Sequence, residues 1–101
     1  MSETIEKLVK TIKSRKGRDI KSSYTAFLLS KGNDHCLNKL KEELAEFEDA
    51  LKNNKNKVHE STDVIYHFLV TLESAGINFD DIIKEIQKRE GTSGFEEKKN
   101  R

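Results

Sequence analysis

The sequence predicts an all-α fold, a bundle of antiparallel helices, and three observations predict it. Apolar residues recur at helical spacing through most of the chain. No segment alternates with period two for long enough to read as a strand. The connections between periodic segments are short and polar, as between antiparallel neighbours in a bundle. The length of 101 residues suits one domain, spanning 1–91, with a polar tail over 92–101.

Each helix has its own justification. Ile5, Leu8, Val9 and Ile12 fall at i, i+3, i+4 and i+7, an amphipathic helix over about 3–16 that Gly17 ends. After the basic linker "GRDIKSS", the run "SYTAFLLSKG" reads as a short helix, capped by Ser22 or Ser23 and stopped by Gly32. Asn33 and Asp34 are candidate caps for a longer helix reaching about Leu51. Its seam of Leu37, Leu40, Leu44, Phe47 and Leu51 steps by three and four. "KNNKNK" is a polar connector. The next helix runs over about 57–75, and Gly76 closes it. The last helix starts at Asn78 as cap, with Ile77 as a staple onto Ile82. Ile82, Ile83 and Ile86 supply its buried face.

Composition narrows the function classes. Only 34% of residues are hydrophobic and 37% are charged, so a lone chain has a thin core, and self-association through helix faces is expected. The net charge of +1 argues against a dedicated nucleic-acid binder. No apolar run approaches the ~20 residues of a membrane span, and no signal peptide is visible. A single cysteine, Cys36, allows no intrachain disulfide and fits a reducing, cytoplasmic setting.

The chemistry lies in the acidic residues. At 100° per residue, Lys39, Glu43, Glu46 and Ala50 form a stripe beside the apolar seam of their helix, with Glu42 just beyond it. On the following helix Val58, Ile65, Leu69 and Leu72 mark one apolar side, with Phe68 beside it. Glu60, Asp63 and His67 share the opposite side, near Val70. Between Val64 and Leu72 that helix is apolar almost all round, so its acidic side faces protein rather than water. Four carboxylates brought together repel one another unless a cation joins them. Oxygen ligands suit Mg²⁺ or Mn²⁺. Either spaced pair alone is commonplace on so charged a chain; the two together carry the metal reading. His67 alone reads more readily as a hydrogen-bonded wall residue, and Cys36 as a structural thiol.

These residues resemble a known family. "SYTAFLLSKG", "KLKEELAE" and "ESTDVIYHFLV" look like phosphoribosyl-ATP pyrophosphatase of histidine biosynthesis, within the all-α, MazG-like NTP pyrophosphohydrolase superfamily. The superfamily pattern, Glu-x-x-Glu then Glu-x-x-Asp, matches Glu43, Glu46, Glu60 and Asp63. Ser23-Tyr24-Thr25, Lys31-Gly32, the Asp-x-x-Tyr-His run and "SGFEEK" match the histidine branch. Lys41 stands where the family often has Gly, and "FEDALK" replaces an Ala-rich stretch; neither change removes a carboxylate.

The resemblance implies hydrolysis of the α–β phosphoanhydride of 1-(5-phosphoribosyl)-ATP, with Glu43, Glu46, Glu60 and Asp63 as metal ligands. Glu42 is the candidate for orienting or deprotonating the attacking water. Lys39 is placed to meet phosphate, with Lys31, Arg15 and Lys16 as further candidates. Tyr24 and Thr25 are candidates for the ribose or base. His67 is a candidate for a hydrogen bond to a carboxylate ligand, or for substrate contact. The implied assembly is a homodimer with a bundle formed across its interface. Two other readings stay open: a house-cleaning nucleoside triphosphate pyrophosphohydrolase, and a non-catalytic helical interaction module.

Overall fold

A computed structural model describes residues 3–91 and Gly94, and the tail expected over 92–101 otherwise lies outside the described residues. Among the described residues five helices follow one another: α1 Glu3–Arg15, α2 Tyr24–Lys31, α3 Asn33–Asn53, α4 Lys57–Ser74 and α5 Phe79–Arg89. No strand occurs among the described residues. None of the helices is long and apolar enough to cross a membrane.

The two longest helices, α3 and α4, form a hairpin with the most extensive packing in the chain; α1 and α2 lean on α4, and α2 also on α3. Asparagines make the sharp turn of this hairpin. Asn54 and Asn56 adopt left-handed backbone at φ 53° and 58°, a conformation that asparagine tolerates better than most residues. The amides of Asn54 and Lys55 both donate to the Ala50 carbonyl, closing the end of α3.

Gly32 alone separates α2 from α3. Its φ of 89° lies where a side chain is strained, so the two helices meet through one residue. Ser23 caps α2 by accepting from the Ala26 amide at 3.1 Å. The end of α4 is a Schellman motif: the Ile77 amide donates to Leu72 O at 2.9 Å and the Gly76 amide to Glu73 O at 3.1 Å. Gly76 supplies the required φ of 74°.

The core gathers Ile12 from α1, Leu28 from α2, Cys36 from α3, and Leu69, Val70 and Leu72 from α4. Cys36 donates its thiol to Leu28 O at 3.3 Å. Burial pushes that thiol up, so Cys36 packs as a small apolar residue. Phe79 and Ile82 bring α5 against this core.

Several expectations are corrected. Neither Asn33 nor Asp34 caps α3. Gly32 holds the cap position without a side-chain bond, and Asn33 instead accepts from Ser74 Oγ at 2.6 Å, tying the start of α3 to the end of α4. The isoleucine face of α5 is not buried in the single chain: no α5 residue is, and Ile86 is exposed. The α3 seam is buried only at Leu40, while Leu37, Leu44 and Leu51 are exposed. On α4, Leu69 and Leu72 are buried, whereas Val58, Ile65 and Phe68 are exposed. The physical reason is shared. A helix that is apolar on most of its circumference can be covered on only part of it by a chain this small.

Leu28 has no exposed surface and touches core contributed by several helices. Leu28→Ala is expected to cost about 2–5 kcal/mol, read as a lowered denaturant midpoint at unchanged m-value.

Candidate active site

The α3–α4 hairpin turns one flank of each helix inward. Glu43 and Glu46 lie one turn apart on α3, and Glu60 and Asp63 one turn apart on α4. Oxygens of Glu43, Glu46 and Glu60 lie within 4.8 Å of one another. A second group of His59, Glu60 and Asp63 meets the same limit, so Glu60 belongs to both. Glu43 and Glu46 of α3 thus meet Glu60 of α4 across the hairpin, while Asp63 groups with Glu60 and His59.

The electrostatics report the crowding directly. Glu43 is pushed from the ordinary 4.5 up to about 7. Burial is the largest cause, followed by a hydrogen bond shared with Glu46 and repulsion from Glu46, Asp63 and Glu60. Glu43 Oε2 and Glu60 Oε2 are buried without a hydrogen-bond partner among the described residues. Unsatisfied buried carboxylate oxygens are costly, and all-oxygen donors in this number fit a hard divalent cation. Beside Glu46 and Glu60 a recess of about 260 Å³ opens, lined also by Asp49, Asn53, Lys55 and Asn56.

Around the cluster, each side chain is held by a specific contact. Lys39 Nζ donates to Glu42 Oε2 at 3.0 Å, and Glu42, Tyr24 and Glu43 raise its pKa. Glu42 is exposed and outside the cluster, as its angle on the helix predicts.

His67 is a buried polar residue of α4, 6% exposed. Its Nδ1 lies 2.9 Å from the Asp63 carbonyl and its Nε2 3.5 Å from Tyr24 Oη. A carbonyl only accepts, so Nδ1 carries the proton and Nε2 is left to accept from the tyrosine. His67 thus grips the backbone of a carboxylate residue rather than the carboxylate itself. Thr25 Oγ1 bonds to Tyr66 Oη, which fixes α2 against α4. Tyr24 keeps about half of its surface exposed. Lys31 Nζ stands over the Phe27 ring at 5.3 Å, and that ring stacks on Tyr24; among the described residues no ion pair ties Lys31 to the carboxylates.

His59 escaped the sequence reading. Its Nε2 lies 3.3 Å from Asp63 Oδ2 and 4.0 Å from Glu60 Oε1. The four-residue step from His59 to Asp63 was the visible signal, masked by the exposed side on which His59 sits.

Fold and cluster together define a class: an all-α protein whose paired helices present a carboxylate site suited to a divalent cation. The chain belongs to the phosphoribosyl-ATP pyrophosphohydrolase family, whose pattern matches residues 5–90. It is 46% identical over 101 aligned residues to a phosphoribosyl-ATP pyrophosphatase of Dechloromonas aromatica, covering 98% of this chain and 94% of that one. To the phosphoribosyl-ATP pyrophosphatase of Rhodobacter capsulatus it is 41% identical, covering 93% of each chain. It is also 41% identical to the histidine biosynthesis bifunctional protein HisIE of Wolinella succinogenes, covering 96% of this chain and 43% of that longer protein.

A carboxyl raised above its unfolded value binds its proton more tightly in the folded state. The stabilisation from protonated Glu43 is full at acidic pH and is lost as pH rises from about 4.5 through about 7. Metal-free protein should therefore melt at lower temperature at pH 8 than at pH 5.5. Mg²⁺ should raise the melting temperature more at pH 8, and Glu60→Gln should remove most of that increment. Differential scanning calorimetry with and without Mg²⁺ checks all three.

Proposed function

We propose that the protein hydrolyses 1-(5-phosphoribosyl)-ATP to 1-(5-phosphoribosyl)-AMP and pyrophosphate, using Mg²⁺ or, in its place, Mn²⁺. The observation that carries this reading is the convergence of Glu43, Glu46 and Glu60, with Asp63 beside them, in a family whose relatives bear that activity in their names. Glu43, Glu46, Glu60 and Asp63 would hold the ion. The chemistry that such an ion supplies when bound is neutralisation of phosphate charge and acidification of the attacking water.

The chain's own groups do the rest. Glu42 holds the attacking water and accepts its proton; Lys39 occupies one of its oxygens, Oε2, and leaves Oε1 for that work. The Lys39 ammonium faces the phosphate chain. Tyr24 offers its exposed ring to the base while its hydroxyl is oriented by His67. Thr25, tied to Tyr66, sets the position of Tyr24, and Lys31 meets the outer part of the substrate. His67 keeps the Asp63 backbone in place.

We further propose that the functional unit is a homodimer. Of the ten exposed large hydrophobic residues among the described ones, six belong to the α3–α4 hairpin: Leu37, Leu44, Leu51, Val58, Ile65 and Phe68. Leu37, Leu44 and Leu51 recur every seven residues, as do Val58 and Ile65, so the exposed stripe runs along both helices. A continuous apolar stripe of this kind marks an interface, and a second copy of the same hairpin would complete a four-helix bundle.

Pyrophosphate release from phosphoribosyl-ATP should require Mg²⁺ and exceed release from deoxynucleoside triphosphates. Preference for the deoxynucleotides would favour a house-cleaning role, and release from neither would leave an interaction module. Glu42→Gln should lower kcat by about 100-fold or more while the Mg²⁺-induced melting shift persists. Near-normal turnover would exclude Glu42 from the proton step. Ile65→Glu should shift the sedimentation coefficient to that of a monomer.

A further inference from the structure

The substrate proposed above has two anionic ends. The triphosphate belongs at the carboxylate cluster through a divalent ion. The 5-phosphate of the added ribosyl group hangs from the base, at the end of the molecule away from the triphosphate. The cluster's negative charge cannot receive it, so it needs cationic side chains of its own. The connection between α1 and α2 carries them. Residues 15–21 hold four basic side chains, Arg15, Lys16, Arg18 and Lys21, against the single acid Asp19. Arg15, Arg18, Asp19, Ser22 and Ser23 line a recess of about 460 Å³.

The recess is built rather than draped. The Arg18 amide donates to Arg15 O at 3.0 Å, which sets the two arginines one turn apart. The Asp19 carbonyl accepts from the amides of Ser22 and Ser23, and its Oδ1 accepts from the Lys21 amide at 3.1 Å. Asp19 is thereby folded into the turn and forms no ion pair with either guanidinium. Arg15 and Arg18 have no carboxylate partner among the described residues, whereas Arg89 on α5 pairs with Glu85 at 3.0 Å. A guanidinium without a partner can meet a phosphate through two parallel N–H bonds.

The recess also connects to the site. Ser23, on its wall, caps α2 and makes Tyr24 the first helical residue. Tyr24 Oη reaches His67, and His67 reaches Asp63 O. Chain neighbours and hydrogen bonds thus lead from the recess through Tyr24 and His67 to the backbone of Asp63.

We propose that this recess is the subsite for the 5-phosphate of the phosphoribosyl group, with Arg15 and Arg18 binding the phosphate and Asp19 available to the ribose hydroxyls. The inference rests on the proposed substrate. It explains how one protein could prefer phosphoribosyl-ATP over an ordinary nucleoside triphosphate: only the former can occupy both ends.

The test compares two ligands on the Mg²⁺-loaded protein by calorimetry: phosphoribosyl-AMP and the same molecule without its 5-phosphate. The wild type should bind the phosphorylated ligand about 10- to 100-fold more tightly. In Arg15→Gln/Arg18→Gln that ratio should fall to about 1 with affinity for the dephosphorylated ligand retained. KM for phosphoribosyl-ATP should rise with kcat little changed. Both arginines are exposed, and an unchanged melting curve verifies the fold. A ratio preserved in the double variant overturns the subsite. So does an equal loss for both ligands, which would reveal only a general attraction for nucleotides. If the wild type neither binds nor hydrolyses the phosphoribosyl compounds but cleaves other triphosphates, the proposed function fails, and the subsite with it.

Discussion

Four carboxylates on two packed helices repel one another, and the rest of this structure is arranged around holding them together. The strain is legible in Glu43, whose carboxyl is raised to about 7 by burial and by its acidic neighbours. Two buried oxygens, on Glu43 and Glu60, find no hydrogen-bond donor among the described residues. A protein under selection for stability alone would put donors there or move the acids outward. The hairpin tolerates the arrangement because α3 and α4 pack along much of their length and are pinned at both ends. Asn54 and Asn56 turn the chain at one end, and the Ser74 hydroxyl donates to Asn33 at the other.

The supporting contacts are polar and specific, as preorganisation of a site requires. His67 is buried inside α4 and fastens the Asp63 backbone, while its other nitrogen faces Tyr24. Thr71 reinforces the same turn by donating to His67 O at 2.7 Å. Tyr66 and Thr25 lock α2 beside α4. Aromatic rings follow the same line, with Tyr66 edge-on to His67 and Phe27 stacked on Tyr24. Thus α2, only eight residues long, sets Tyr24 against His67, and the recess of Arg15 and Arg18 adjoins its cap at Ser23. The carboxylate site is held by contacts between helices, among them those that the short α2 makes with α4.

Helix α4 serves two surfaces. One presents Leu69, Val70 and Leu72 to α1 and α2, and another leaves Val58, Ile65 and Phe68 uncovered. With few apolar residues in the chain, this division leaves a small monomer core. The exposed stripe continues onto α3 at Leu37, Leu44 and Leu51. Apolar area that would be a liability on a monomer lies on the outer face of the very hairpin that carries the carboxylates, so pairing of two copies would stiffen the site itself.

Much of this was readable from residue order. The spacing Ile5, Leu8, Val9, Ile12 marked α1, and Ser23 and Gly32 marked the ends of α2. Gly76 marked the close of α4, and Asn78 the start of α5, because capping and helical periodicity depend on residues a few positions apart. The acidic pairs were legible for the same reason: one turn separates Glu43 from Glu46, and Glu60 from Asp63. The errors lie where distant parts of the chain compete. Asn33 resembled a cap, but Ser74, 41 residues away, engages its side chain. Leu44 and Ile65 resembled core, but one chain cannot surround them. Sequence by itself determined the helices, their order and which acids share a flank, since those follow from local geometry. Tertiary structure alone decided that the two flanks face each other, that His59 joins Asp63, that His67 holds a backbone carbonyl, and which apolar stripe stays open. Those outcomes depend on how helices pack, and packing is settled by competition among contacts far apart in the chain.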